Sequence, residues 1–182
     1  MMRFIKQNSW GLAMVVAGAA ILIFGVALVR QNYRQEVRVP QYAKDFTLED
    51  FSGNAVSFRT FKGRPVILNF WGAYCIFCRY EMPNLNEAAR RYAETGLVVL
   101  GIHRTSRENV GSGRAFASEL KITYPLLIDK DNAVYEFYSN GVLVTPLTVF
   151  IGRDGVIAST IYGSRSKADF ARLIEQFMEQ NK

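Results

Sequence analysis

Two cysteines and one histidine are all that the 182 residues contain, and that scarcity removes several classes of protein at once. A disulfide framework needs more than one pair. A closed four-ligand zinc site also fails, because Cys75, Cys78 and His103 make an incomplete set of good ligands. Proline is sparse at 5 residues and glycine unremarkable at 14, so collagen-like and low-complexity chains are excluded, and no internal repeat occurs. Excess positive charge is missing where nucleic-acid binding would need it. Residues 1–38 hold five basic side chains and one acid, net +4 of the total +6, which leaves the remainder nearly neutral. No nucleic-acid partner is expected. With 49% hydrophobic and 21% charged residues, the chain can bury a core.

Charge is absent altogether from residues 10–29, WGLAMVVAGAAILIFGVALV, between Arg3 and Lys6 on one side and Arg30 and Arg34 on the other. A helix of that length spans about 30 Å, the hydrocarbon thickness of a bilayer. The run exceeds the ~7–15 residues of a signal-peptide core, and no small-x-small cleavage site follows it. The expectation is a short tail (1–9), an uncleaved transmembrane anchor (10–29), a polar linker (30–44) and one domain (45–182). Basic residues on both flanks leave the orientation undecided by charge.

In the domain, FTLED and AVSF flank a Ser52-Gly53-Asn54 turn and predict a hairpin. PVILNFW (65–71) and LVVLGIH (97–103) are continuous apolar runs of strand length, the pattern of strands covered on both faces. After Cys75 the apolar period becomes helical and runs to Gly96 as a C-cap, with Pro83 inside it. Thr105 and Glu108 have the spacing of a capping box for a helix towards Leu120, and Ser166 and Asp169 repeat it before a last amphipathic helix. Gly111 and Gly113 lack the third glycine and the Gly-Lys-Ser/Thr of a phosphate loop, so no cofactor is expected. Strands PLLID, LTVFI and VIAST, with a short helix through Val134 and Phe137, complete an α/β order: a mixed sheet with helices on both faces.

Cys75-Ile76-Phe77-Cys78 stands where a buried strand meets a helix. The unpaired N–H groups of a helix start favour thiolate over thiol, so Cys75 is the candidate attacking sulfur. One helical turn brings Cys78 beside it, able to resolve a mixed disulfide from within the same chain.

From about Pro40 onward the chain resembles the thioredoxin-like superfamily, and within it the membrane-anchored TlpA and ResA type of thiol-disulfide oxidoreductase. The likeness is carried by DFTLEDFSG, VILNFWGAYC, the C-x-x-C, Pro83, Thr145-Pro146 before LTVFI, and the Arg153-Asp154-Gly155 turn. It implies a thioredoxin-like fold with an N-terminal hairpin extension, a cis-proline at Pro146 lying against the disulfide, and a domain facing the extracytoplasmic side. It also implies a carboxylate at Glu81 that exchanges protons with Cys78; as a bare helix position, Glu81 reads equally as an exposed charge. Trp71, Tyr74, Phe77, Thr145 and Pro146 form the expected partner-binding surface, with Phe77 a partner contact if exposed and core if buried. The implied activity is reduction of specific protein disulfides, of the cytochrome c maturation or copper-centre assembly kind, with electrons from a transmembrane thiol carrier. Tyr74, Phe77 and Asn69 depart from commoner residues of the superfamily, namely Trp and Pro before the two cysteines and a buried acid in the strand. The rival reading is a Cu(I) metallochaperone using Cys75, Cys78 and His103, since soft thiolates with imidazole suit that ion. A peroxidase of the peroxiredoxin kind is disfavoured by Gly72, where that family has Thr or Ser. His103 alone reads more simply as structural.

Overall fold

A computed structural model describes residues 14–22, 24–25 and 42–182. Of the expected anchor, residues 14–22 and 24–25 are helical, with Met14, Val15, Val16, Ile21, Leu22 and Phe24 exposed. The rest of 10–29, the tail 1–9 and the linker up to 41 lie outside the described residues. Among the described residues, no helix is long and apolar enough to cross a membrane.

The domain is built on a seven-stranded sheet of order β2-β1-β5-β4-β3-β6-β7. Strands β3 (Val66–Trp71), β4 (Val98–Arg104) and β5 (Leu126–Asp129) run parallel. Antiparallel β6 (Leu147–Ile151) and β7 (Ile157–Tyr162) extend one side, and the hairpin of β1 (Thr47–Asp50) and β2 (Ala55–Ser57) adds to β5 on the other. The Asp50 carboxylate closes the hairpin by accepting the Ser52 and Asn54 N–H groups at 2.7 and 2.8 Å, and Gly53 takes a φ of +87° that a side chain would strain.

Central position explains the apolar runs. β3 lies between β4 and β6, so side chains of both parities are buried. Leu68 and Phe70, with Leu100 and Ile102 of β4, pack on one face against Tyr135 and Tyr138 of helix α3 (Ala133–Ser139). Ile67 and Val99 turn to the other face. They meet Leu85 of helix α1 (Ile76–Arg91) and Phe170, Ile174 and Phe177 of helix α4 (Lys167–Gln180). Each such side chain removed from water contributes about 1.5–3 kcal/mol.

Two expectations are corrected. Helix α1 ends at Arg91, not Gly96; residues 92–96 form hydrogen-bonded turns, such as Gly96 N–H to Ala93 O at 3.0 Å. Helix α2 (Val110–Glu119) is capped by Asn109, whose side chain accepts the Ser112 N–H at 2.9 Å. Thr105 instead donates to the Asp129 and Lys130 carbonyls, and Glu108 is occupied elsewhere, so neither caps the helix. Residues just before β1 are tied to the sheet and to α3: Ala43 N–H donates to Gly155 O and Tyr138 Oη donates to Lys44 O. The Ser166 cap holds as expected, accepting the Asp169 N–H at 3.1 Å.

Candidate active site

Strand β3 delivers the chain at Trp71 to the carboxyl edge of the sheet, and a short turn leads to Cys75, the N-cap of α1. Cys75 and Cys78 are joined by a disulfide, their Cα atoms 5.3 Å apart. The Cys75 sulfur accepts the Cys78 N–H at 3.1 Å, a donor it shares with the Cys75 carbonyl oxygen, so an N–H of the helix start already points at the sulfur that a thiolate would occupy. The two sulfurs differ in access. Cys75 is 6% exposed and lines a groove of about 260 Å³, whereas Cys78 is 0% exposed beneath it against Trp71, Met82 and Phe116.

The far wall of the groove comes from the loop before β6. Leu143, Val144 and Thr145 line it, the Thr145–Pro146 bond is cis, and Tyr74 Oη lies 3.3 Å from Thr145 Oγ1. Pro146 itself is buried beneath, leaving Thr145 as the residue on the groove wall. Phe77 is 55% exposed at the tip of α1, which resolves its two readings in favour of surface, and Ile76 and Tyr80 are exposed with it. Trp71 does not belong to that surface. Its ring is fully buried and stacks on Phe116, with His103 4.8 Å away, because the last position of β3 points under the disulfide rather than over it.

Glu81 lies one turn after Cys78 on the buried side of α1, not in solvent. Its Oε1 accepts from Thr148 Oγ1 at 2.7 Å and Asn69 Nδ2 at 2.8 Å, while Oε2 is buried with no partner among the described residues. Burial pushes the carboxyl up to about 7, against the opposing effects of Thr148, Arg165 and Asn69. Such a group can give or take a proton at neutral pH. Asn69, where a superfamily acid is absent, therefore acts as a donor that orients Glu81.

His103 is fully buried and does not join the cysteines. Its Nε2 lies 2.7 Å from Glu108 Oε1, and the same carboxylate oxygen accepts the Ala73 N–H at 2.6 Å. With Glu108 ionised, the imidazole proton sits on Nε2. Burial holds His103 below its ordinary value despite the opposing pull of Glu108. The trio ties the end of β4 to the turn that carries Cys75. Among the described residues, no three His, Cys, Asp or Glu side chains stand close enough to hold a metal ion. The copper triad of Cys75, Cys78 and His103 is thus not assembled.

Sequence reasoning missed Glu108, Thr148, Arg104 and Arg107 as site residues. Arg104 and Arg107 line the groove, and the available signal was a charged residue directly ending a buried parallel strand, at the edge where ligands of such sheets collect. At the surface beside the site, Arg79 pairs with Glu119 and lies over the Phe116 ring at 4.9 Å.

A sulfur pair so held has thiol exchange as the chemistry within reach, and fold and site together define a thioredoxin-like thiol-disulfide oxidoreductase. Residues 39–160 match the AhpC/TSA family, and the chain belongs to it. It is 34% identical over 143 residues to the thiol-disulfide oxidoreductase ResA of Geobacillus kaustophilus, covering 76% of this chain and 78% of that one. To the thioredoxin-like protein YneN of Bacillus subtilis it is 36% identical over 138 residues, covering 74% and 78%. A solved thiol:disulfide interchange protein of Chlorobium tepidum superposes with a TM-score of 0.67 at 26% identity, covering 76% of this chain and 97% of that one.

Proposed function

We propose that the protein is a membrane-anchored, extracytoplasmic reductant of specific protein disulfides, with Cys75 as the attacking sulfur and Cys78 as the resolving one. The observation that carries the roles is the unequal access of the two sulfurs: Cys75 lines the groove and Cys78 lies sealed beneath it. In the reduced form the Cys75 thiolate attacks a partner disulfide, forming one S–S bond as the partner's breaks, and the electron pair leaves on the partner's far sulfur, which takes a proton. Cys78 then loses its proton to Glu81 and attacks Cys75, releasing the partner's second thiolate and forming the Cys75–Cys78 disulfide. Two electrons pass to the partner. A transmembrane thiol carrier returns them, since an extracytoplasmic reductant needs electrons delivered through the membrane.

The anchor rests on the uncharged run of residues 10–29. Substrates of the cytochrome c maturation or copper-centre assembly kind follow from the resemblance to the TlpA and ResA type. Tyr74, Phe77, Thr145 and the turn at Pro146 form the partner-binding surface, in which Phe77 supplies exposed apolar area.

Trapping tests the roles. Cys78→Ser leaves Cys75 able to attack but unable to release, so disulfide-linked partners accumulate on non-reducing gels and disappear with reductant, while Cys75→Ser traps far less. Equal trapping by both variants contradicts the assignment. For the anchor, full-length protein should stay with membranes through high-salt washing, since hydrophobic burial is not screened by salt; release of intact protein by salt contradicts it.

A further inference from the structure

Resting on the oxidoreductase reading, we infer that the groove beside Cys75 recognises a carboxylate of the partner polypeptide, an Asp or Glu side chain within a residue or two of its reacting cysteine. The carrier of this selectivity is Arg104. It is 6% exposed, yet among the described residues it has no carboxylate partner. Its Nε donates to Asn132 Oδ1 at 3.1 Å and its Nη1 to Thr145 Oγ1 at 2.6 Å, both neutral groups. Its planar face lies 3.4 Å over the Tyr135 ring. The neighbouring acid in the sheet, Asp129, is committed to the backbone N–H groups of Val134 and Tyr135.

A buried cation held by neutral partners keeps its charge uncompensated, and an incoming anion completes the site. Guanidinium offers five N–H donors in a fixed fork suited to carboxylate, and the contacts above engage two of its nitrogens. The opening faces the right place. Arg104 lines the same groove as Cys75 and Thr145, Arg107 adds a second cation 5.7 Å from the Tyr74 ring centre, and no acidic side chain lines the groove. A carboxylate seated there stands beside the sulfur under attack, so charge selects among partner cysteines that an apolar contact at Phe77 alone would accept equally. Like charges are excluded by the same field, which gives discrimination in both directions.

The test uses the reduced full-length protein in detergent and three cyclic peptides, each closed by one disulfide and differing only in Glu, Gln or Lys beside one cysteine. Peptide thiol formed is followed by acid quench and chromatography. At low ionic strength the Glu peptide should react about tenfold faster than the Gln peptide, the size of one partly exposed charge-assisted contact. The Lys peptide should be slowest, and raising salt should narrow the spread. Arg107→Gln, on an exposed side chain, should cut the Glu-to-Gln ratio about threefold; Arg104→Gln should abolish the preference. Because Arg104 also holds Thr145, the Arg107 variant keeps the test decisive if the other misfolds. One rate for all three peptides overturns this inference alone. Failure to reduce any of them overturns the oxidoreductase reading and this inference with it.

Discussion

Thr148 on β6 donates a 2.7 Å hydrogen bond to the carboxyl of Glu81 on α1, joining the strand after the cis-proline to the helix that carries both cysteines. The contact fixes one oxygen of a buried acid and favours its ionised form, but burial costs that form more and pushes the carboxyl up to about 7. Because the folded carboxyl titrates near 7 and an unfolded one near 4.5, the folded state binds more protons between those values. Stability is greatest below pH 4.5 on this group's account and falls as pH rises through about 7, by roughly 3 kcal/mol. Denaturant unfolding of the oxidised protein from pH 4.5 to 8 should show that slope in the difference between wild type and Glu81→Gln. An identical pH profile in both would contradict the buried acid.

The His103–Glu108 pair predicts a titration of the opposite kind. Burial depresses His103, so its contribution to stability is present above about pH 6.5 and is lost as pH falls through the lower folded value. Glu108 opposes the depression, and Glu108→Gln should therefore move the imidazole midpoint further down. Nuclear magnetic resonance titration of the single histidine reads this directly. An upward shift would show that Glu108 does not face the ring.

Gly113 on α2 carries no side chain because His103 fills the space: a Cβ there would stand inside the imidazole. The ring is rigid and buried, so Gly113→Ala should destabilise the domain by about 1–3 kcal/mol through overpacking, despite alanine's better helix propensity. A stabilised variant in thermal unfolding would contradict the packing.

Phe77 makes a separable prediction, since it is exposed at the helix tip. Phe77→Ser should change stability by no more than about 0.5 kcal/mol, as for other surface positions. It should slow the reduction of a protein disulfide while leaving a small disulfide such as hydroxyethyl disulfide reduced at the wild-type rate. Equal slowing of both would place Phe77 in the fold of the site instead of at its contact surface.

The strands and helices were legible because their apolar residues repeat at intervals of one, two or three to four, and the dithiol because Cys75 and Cys78 fall at the strand-to-helix junction. What escaped sequence reasoning is what depends on distant partners. Glu81 meets Thr148 across 67 residues and Ala73 meets Glu108 across 35, separations that no local pattern encodes. The capping-box spacing of Thr105 and Glu108 was a true local signal overridden by tertiary partners, Asp129, Lys130, Ala73 and His103. Trp71 was misjudged for a related reason. Nearness to the cysteines in sequence says nothing of which side of the sheet edge a ring takes, and this one packs beneath them.

The central claim is the division of labour between an attacking Cys75 and a buried, resolving Cys78. Its most direct test is alkylation of the fully reduced protein with limiting iodoacetamide at pH 7, with the modified peptides quantified by mass spectrometry at early times. The account predicts carbamidomethyl label on Cys75, with Cys78 modified only after unfolding. Equal labelling of the two sulfurs, or label on Cys78 first, would contradict it.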